Sequence, residues 1–161
     1  MSIQEYISAL QKRFPEMGKK VRYDKTEHGE EFCELVYPNP SDENFPLTFT
    51  VFEDGGRISF SDIEKVTGEG KLSPEQIICA AEDIISDSVM FVFCYESPDK
   101  KENHRLRDSY VFPLGEDSEN YSKFIEKIKT PLMGFLRIFT PLKGVFVVRN
   151  FSGSENFEVT R

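Results

Sequence analysis

Residues Val89 to Tyr95 are apolar at every position and rich in aromatic and β-branched side chains. A strand of this kind has no polar face to turn to water, so it must be covered on both sides. This run is the predicted central strand of a sheet, and the rest of the chain has to supply its neighbours and its cover. Asp108 to Leu114 reads as a partner strand across the solvated loop Ser97 to Arg107, Val145 to Phe151 as a further strand, and Phe157 and Val159 mark a short last one. Tyr121, Phe124, Ile125 and Ile128 form the stripe of a helix, followed by an amphipathic turn from Pro131 that carries Leu132, Phe135, Leu136 and Phe139.

The first half of the chain is punctuated more strongly. Ile3, Tyr6, Ile7, Leu10 and Phe14 lie at helical spacing, and Ser2 with Glu5 has the spacing of a capping box. Lys20 to Lys25 and Glu31 to Tyr37 flank the turn-type cluster Glu27-His28-Gly29 and predict a hairpin, which Pro38 and Pro40 interrupt. Leu47, Phe49 and Val51 alternate with Thr48 and Thr50, Asp54-Gly55 supplies a tight turn, and Ile58 and Phe60 alternate with Ser59 and Ser61. Ser73-Pro74-Glu75-Gln76 then joins a capping Ser, Pro at the first helical position and Gln at the third, ahead of the stripe Ile77, Ile78, Ala81, Ile84, Ile85.

Strands that follow one another across short turns imply antiparallel pairing. The expected fold is therefore α+β, a mostly antiparallel twisted sheet of about six to eight strands with three helices packed on it, in a single domain over residues 1–161. A chain of 161 residues with 39% hydrophobic side chains is long enough to build this core without disulfides or structural metal. Its 15 Phe residues exclude a disordered chain.

Charge and cysteine usage narrow the setting. Twenty Lys and Arg against 28 Asp and Glu leave a formal charge of −8, which repels nucleic acid. Residues 1–14 lack the continuous apolar run of a secretory signal, and three cysteines without Cys-x-x-Cys spacing suit a reducing compartment, so the expected location is cytoplasmic. The mostly apolar stretch Pro131 to Val148 is split by Pro141 and Gly144 and reads as core, not as a membrane segment. The pentapeptide Thr130-Pro131-Leu132-Met133-Gly134 recurs as Thr140-Pro141-Leu142-Lys143-Gly144, a reused turn and not a solenoid period.

No catalytic constellation stands out. The segment Thr67 to Ser73 feeds a helix N-terminus, as phosphate loops do, but has Lys65 where the first Gly is required and Leu72 where the hydroxyl is required, with Glu69 and Glu75 repelling an anion. Cys33 and Cys94 alternate with core positions and read as inert, whereas Cys79 falls opposite the helix stripe and faces solvent beside Glu75, Glu82 and Asp83. His28 and His104 give no metal-ligand spacing with any cysteine, Asp42-Glu43 and Asp117-Glu119 do not continue as calcium loops, and no cofactor or metal is expected. Lys100, Lys101, Arg105 and Arg107 are interleaved with acids and read as solvated surface.

What the sequence does concentrate is acid: Glu30, Glu31, Glu34, Asp42 and Glu43. Glu31 and Glu34 fall on opposite faces of a regular strand, and Glu34 shares its face with Phe32 and Val36. A carboxylate isolated among apolar neighbours has the raised pKa a general acid needs, while an edge strand carrying protective charge explains the same residues without chemistry. The element order and acidic balance resemble those of small bacterial partner-binding proteins, among them chaperones for secreted effectors and immunity proteins that neutralise toxins. This likeness is one of layout and charge and carries no residue roles.

The function expected is a non-enzymatic cytosolic protein-binding module whose acidic surface, at Glu30, Glu31, Glu34, Asp42 and Glu43, engages a protein with a basic surface. Neither nucleic acid nor membrane is expected as a partner, and the chain is read as a monomer or as a homodimer through an edge strand. The alternatives are a small hydrolase or transferase with Glu34 as acid or base in a Phe-walled cleft, or a carrier of an apolar ligand.

Overall fold

The computed structural model describes residues 2–17, 21–61, 63, 66, 70–103, 105–130 and 144–160, with the side chains of residues 116 and 117 outside the description. The amphipathic turn expected at 131–139, nearly all of the repeated pentapeptides, residues 67–69 of the glycine loop, Lys20 of the first strand and His104 lie outside the described residues. The chain is α+β and divides into two compact units, residues 1–85 and 86–161.

Unit one opens with α1 (Ile3–Arg13), whose capping box is complete: Glu5 N–H donates to Ser2 Oγ at 3.3 Å and Ser2 N–H donates to Glu5 Oε2 at 2.8 Å. Four antiparallel strands follow in sequence order, β1 (Arg22–Lys25), β2 (Glu31–Tyr37), β3 (Leu47–Phe52) and β4 (Gly55–Phe60), and then α2 (Pro74–Ile85). Cys33 lies opposite Val51, Leu35 opposite Phe49, and Phe49 opposite Ile58, so these side chains share one face and are fully buried. Tyr6, Ile7 and Leu10 of α1 and Ile77, Ala81 and Ile84 of α2 are the buried faces of the two helices. The opposite sheet face carries Arg22, Glu34, Thr50 and Arg57 in one cross-strand row.

The β3–β4 turn is Glu53-Asp54 and not Asp54-Gly55, because Phe52 pairs with Gly55 and closes the hairpin one residue earlier. Gly56 permits the close approach of both helices, since a Cβ there would stand 2.8 Å from Tyr6 Oη and 2.9 Å from Ile77 Cδ1.

Unit two holds a second antiparallel sheet in the order β6-β5-β7-β8, built from β5 (Val89–Tyr95), β6 (Asp108–Pro113), β7 (Val145–Arg149) and β8 (Phe157–Thr160). The apolar run Val89 to Tyr95 is interior to this sheet and buried at every position. Met90, Val92 and Cys94 pack with Phe146, Val148 and Ile128 under α4 (Leu114–Lys129), while Phe91 and Phe93 project from the other face and are equally buried. Gly144 brings the chain into β7 with φ +131°, and a Cβ there would lie 2.0 Å from the Tyr95 carbonyl oxygen.

Two expectations are corrected. Among the described residues the single sheet is two sheets of four strands, because the far edge of β4 is taken by Ile63, Val66 and Leu72: Gly56 and Leu72 exchange hydrogen bonds at 2.9 and 2.8 Å, and Val66 N–H donates to Ile58 O at 3.0 Å. With that edge filled, β5 pairs with β6 and β7 instead. Among the described residues there are also four α-helices and not three, since part of the expected loop after β5 forms α3 (Pro98–Glu102), started by Pro98 at the first turn and by Ser97 Oγ accepting from Lys100 N–H at 3.4 Å. Lys101 of α3 pairs with Glu158 of β8.

Candidate functional site

In an antiparallel meander alternate turns lie at the same end of the sheet. The β1–β2 turn at residues 26–30 and the β3–β4 turn at Glu53-Asp54 are therefore neighbours, and the N-terminus of α1 sits beside them. Together they enclose an open groove of about 1090 Å³ walled by Ile3, Tyr23 and Phe32 and edged by five carboxylates, Asp24, Glu30, Glu31, Glu53 and Asp54. Lys25 is the one cation among the described lining residues.

These carboxylates are partly neutralised by neighbours. Lys25 Nζ stands 2.9 Å from Glu31 Oε1, and Arg22 Nη2 donates to Asp24 Oδ2 at 2.9 Å. Lys71, just ahead of α2, reaches over the Phe52 ring at 4.1 Å to bond Asp54 Oδ1 at 2.6 Å and Glu30 Oε1 as well. Its hydrogen bonds to Asp54 and Glu30 raise its pKa against the opposing effect of burial. The Lys71 hydrogen bond lowers the pKa of Asp54, the Lys25 hydrogen bond lowers that of Glu31, and the Lys25 backbone N–H followed by Arg22 lowers that of Asp24. Glu53 has no ion pair among the described residues. Five carboxylates thus meet three cations, and the groove keeps a negative surplus.

The structure separates the five acids that lie close in sequence. Glu30 and Glu31 enter the groove, whereas Asp42 and Glu43 sit in the β2–β3 connection at the other end of β2, about 20 Å away at about 3.3 Å per residue. Asp42 serves its own loop: its carboxylate accepts from Asn44 N–H at 3.1 Å and Nδ2 at 3.3 Å, while the buried Asn39 accepts from Ser41 N–H at 2.9 Å and donates to the Phe45 carbonyl at 3.2 Å. Glu43 is exposed in the same loop. Glu34 lies mid-strand on the outer face, opposite in sense to Glu31 as the alternation requires, with Arg22 Nη1 at 3.7 Å. It is therefore not isolated among apolar groups. The shallow groove beside it, about 610 Å³, is walled by Met17, Val21, Val36 and Pro38 and not by phenylalanine.

Asp24, Glu53 and Asp54 are the groove residues that sequence reasoning missed. The signal was present: two hairpins joined by one connection put the first and third turns together, so the acids at 53 and 54 belong with those at 30 and 31.

Burial pushes the Cys33 thiol up to about 11 and the Cys94 thiol to about 12, and Cys79 is exposed on α2. The N-terminus of α2 is occupied by its own residues, Gln76 N–H donating to Ser73 Oγ at 3.3 Å and Ser73 N–H to Gln76 Oε1 at 2.9 Å. Among the described residues no cluster of three His, Cys, Asp or Glu is arranged to hold a metal, and no helix is long and apolar enough to cross a membrane. Comparison with protein-family models, with curated proteins and with solved structures finds no match to the chain.

Proposed function

We propose that the protein is a non-enzymatic, cytoplasmic binding module, of the effector-chaperone or immunity-protein kind, that engages a basic segment of a partner protein through the acidic groove of unit one. The supporting observation is the convergence of Asp24, Glu30, Glu31, Glu53 and Asp54 on one open groove with apolar walls at Ile3, Tyr23 and Phe32. Apolar walls take up the stems of Lys or Arg while the rim carboxylates meet their charged ends. Long-range attraction of this kind accelerates encounter more than it deepens affinity.

The test uses a synthetic peptide rich in Lys and Arg, with association followed by stopped flow. The on-rate is expected to fall steeply as ionic strength rises through the physiological range, where the Debye length shrinks to about 8 Å. Charge reversal at Glu53, whose carboxylate has no ion pair among the described residues, is expected to slow association, whereas reversal at Glu43 at the far end of the sheet leaves it nearly unchanged. An on-rate indifferent to salt, or an equal effect of the two reversals, would sink the reading.

A further inference from the structure

The four-stranded sheet of unit one has two edges, and they are finished differently. Along β4 the outward groups are used: Gly56 exchanges bonds with Leu72, Ile58 O accepts from Val66 N–H, and Phe60 exchanges bonds with Ile63 at 2.9 and 3.0 Å. Along β1 no described strand or loop takes that place. Thr26 N–H donates to Glu30 O at 2.9 Å, so antiparallel alternation puts Arg22 and Asp24 in the bonded pairs with β2. The same alternation turns the N–H and C=O of Tyr23 and Lys25 away from the sheet. Asp24 Oδ1 holds the Lys25 N–H at 2.9 Å, all four β1 residues are exposed, and Tyr23 is 62% exposed.

We infer that β1 is a self-pairing edge, to which a second copy of this chain adds antiparallel with Tyr23 opposite the partner's Tyr23, joining two four-stranded sheets. Charge selects this register. Arg22 and Asp24 share the outer face, one on each side of Tyr23. With Tyr23 on the two-fold axis, each Arg22 stands opposite the partner's Asp24 and two cross-strand ion pairs form. The registers on either side that also keep outward groups paired place Asp24 against the partner's Asp24, or Arg22 against the partner's Arg22. Both oppose like charges.

The exchange of bonds balances. Arg22 already bonds Asp24 of its own strand at 2.9 Å, so dimerisation trades that contact for the same one between copies. Asp24 then leaves the Lys25 N–H, which donates to the partner's Val21 carbonyl, while the two Tyr23 residues exchange both of their backbone bonds. This inference does not rest on the acidic-groove reading, because it needs a second copy and no basic partner, although the two share Tyr23, Asp24 and Lys25.

Sedimentation velocity over a wide micromolar range tests it, with thermal unfolding of each variant recorded alongside. The parent chain is expected to approach twice its 18.6 kDa with rising concentration. Tyr23→Pro removes an outward N–H without touching the β1–β2 ladder and is expected to stay monomeric while folded. Arg22→Asp and Asp24→Arg each set two like-charge pairs in the interface and are expected to weaken self-association by about tenfold or more. Mixed together, these two single variants have complementary edges and are expected to form a one-to-one heterodimer. A parent that is monomeric throughout, a dimer that survives Tyr23→Pro, or charge variants that fail to pair on mixing although both are folded would each overturn the inference.

Discussion

Tyr6 Oη donates to the Leu72 carbonyl oxygen at 2.9 Å, tying the first helix to the loop that closes the edge of β4. The same carbonyl accepts from Gly56 N–H at 2.9 Å, so it keeps a partner if the phenol oxygen is removed. Tyr6→Phe is therefore expected to destabilise the protein by about 0.5–1.5 kcal/mol, the net value of one hydrogen bond, and not by the larger penalty of an orphaned acceptor. Urea denaturation midpoints at constant m-value measure it.

Gly56→Ala is expected to cost about 1–3 kcal/mol by overpacking, because its Cβ would enter the space of Tyr6 Oη and Ile77 Cδ1. Since one of those two atoms is the phenol oxygen, the penalty should be smaller in a Tyr6→Phe background. A double-mutant cycle with no coupling between the two positions would contradict this packing.

The three thiols should separate cleanly. With Cys33 pushed up to about 11 and Cys94 to about 12 by burial, neither forms appreciable thiolate near neutral pH, and both are inaccessible. Iodoacetamide is expected to add once to the native chain, at Cys79, and at all three cysteines after denaturation. Peptide mass mapping reads the result, and rapid labelling of Cys33 in the native protein would contradict the burial of that side chain.

Acid should loosen the groove end of unit one first. Asp24, Glu31 and Asp54 have folded-state pKa values below their ordinary 3.8, 4.5 and 3.8, so the unfolded chain binds protons more readily than the folded one. Their contribution is fully present above those ordinary values and is lost as pH falls through the lowered ones. Protection factors of the amides at residues 24–31 and 53–55, referred to the intrinsic exchange rate at each pH, are expected to fall below about pH 4 ahead of those in β5, whose residues are all buried and non-ionised there. Protection that is lost together in both units would refute the assignment.

Much of the local structure was legible without coordinates. The Ser2–Glu5 capping box, the stripe of α1, the Ser73-Pro74 helix start and the alternation of Leu47, Phe49 and Val51 each describe a preference decided within a few residues, and the structure holds all of them. The start of α3 was written in the same code at Ser97-Pro98, although the surrounding charges made it read as loop. The acidic groove was half legible: Glu30 and Glu31 lie in it, but their companions at 24, 53 and 54 come from two other points in the chain.

By itself the sequence determined where most of the described strands and helices form, which of their faces are apolar, and that Val89 to Tyr95 lies inside a sheet, because period, caps and turn residues act over distances shorter than one element. Only the tertiary structure decided that the described residues form two sheets, that Asp42 and Glu43 stand at the opposite end from Glu30 and Glu31, and that no described residue pairs with the outer edge of β1. Those outcomes depend on which strand edges are filled. Ile63, Val66 and Leu72 fill one edge by returning hydrogen bonds to residues 3 to 16 positions away, a closure no local pattern announces.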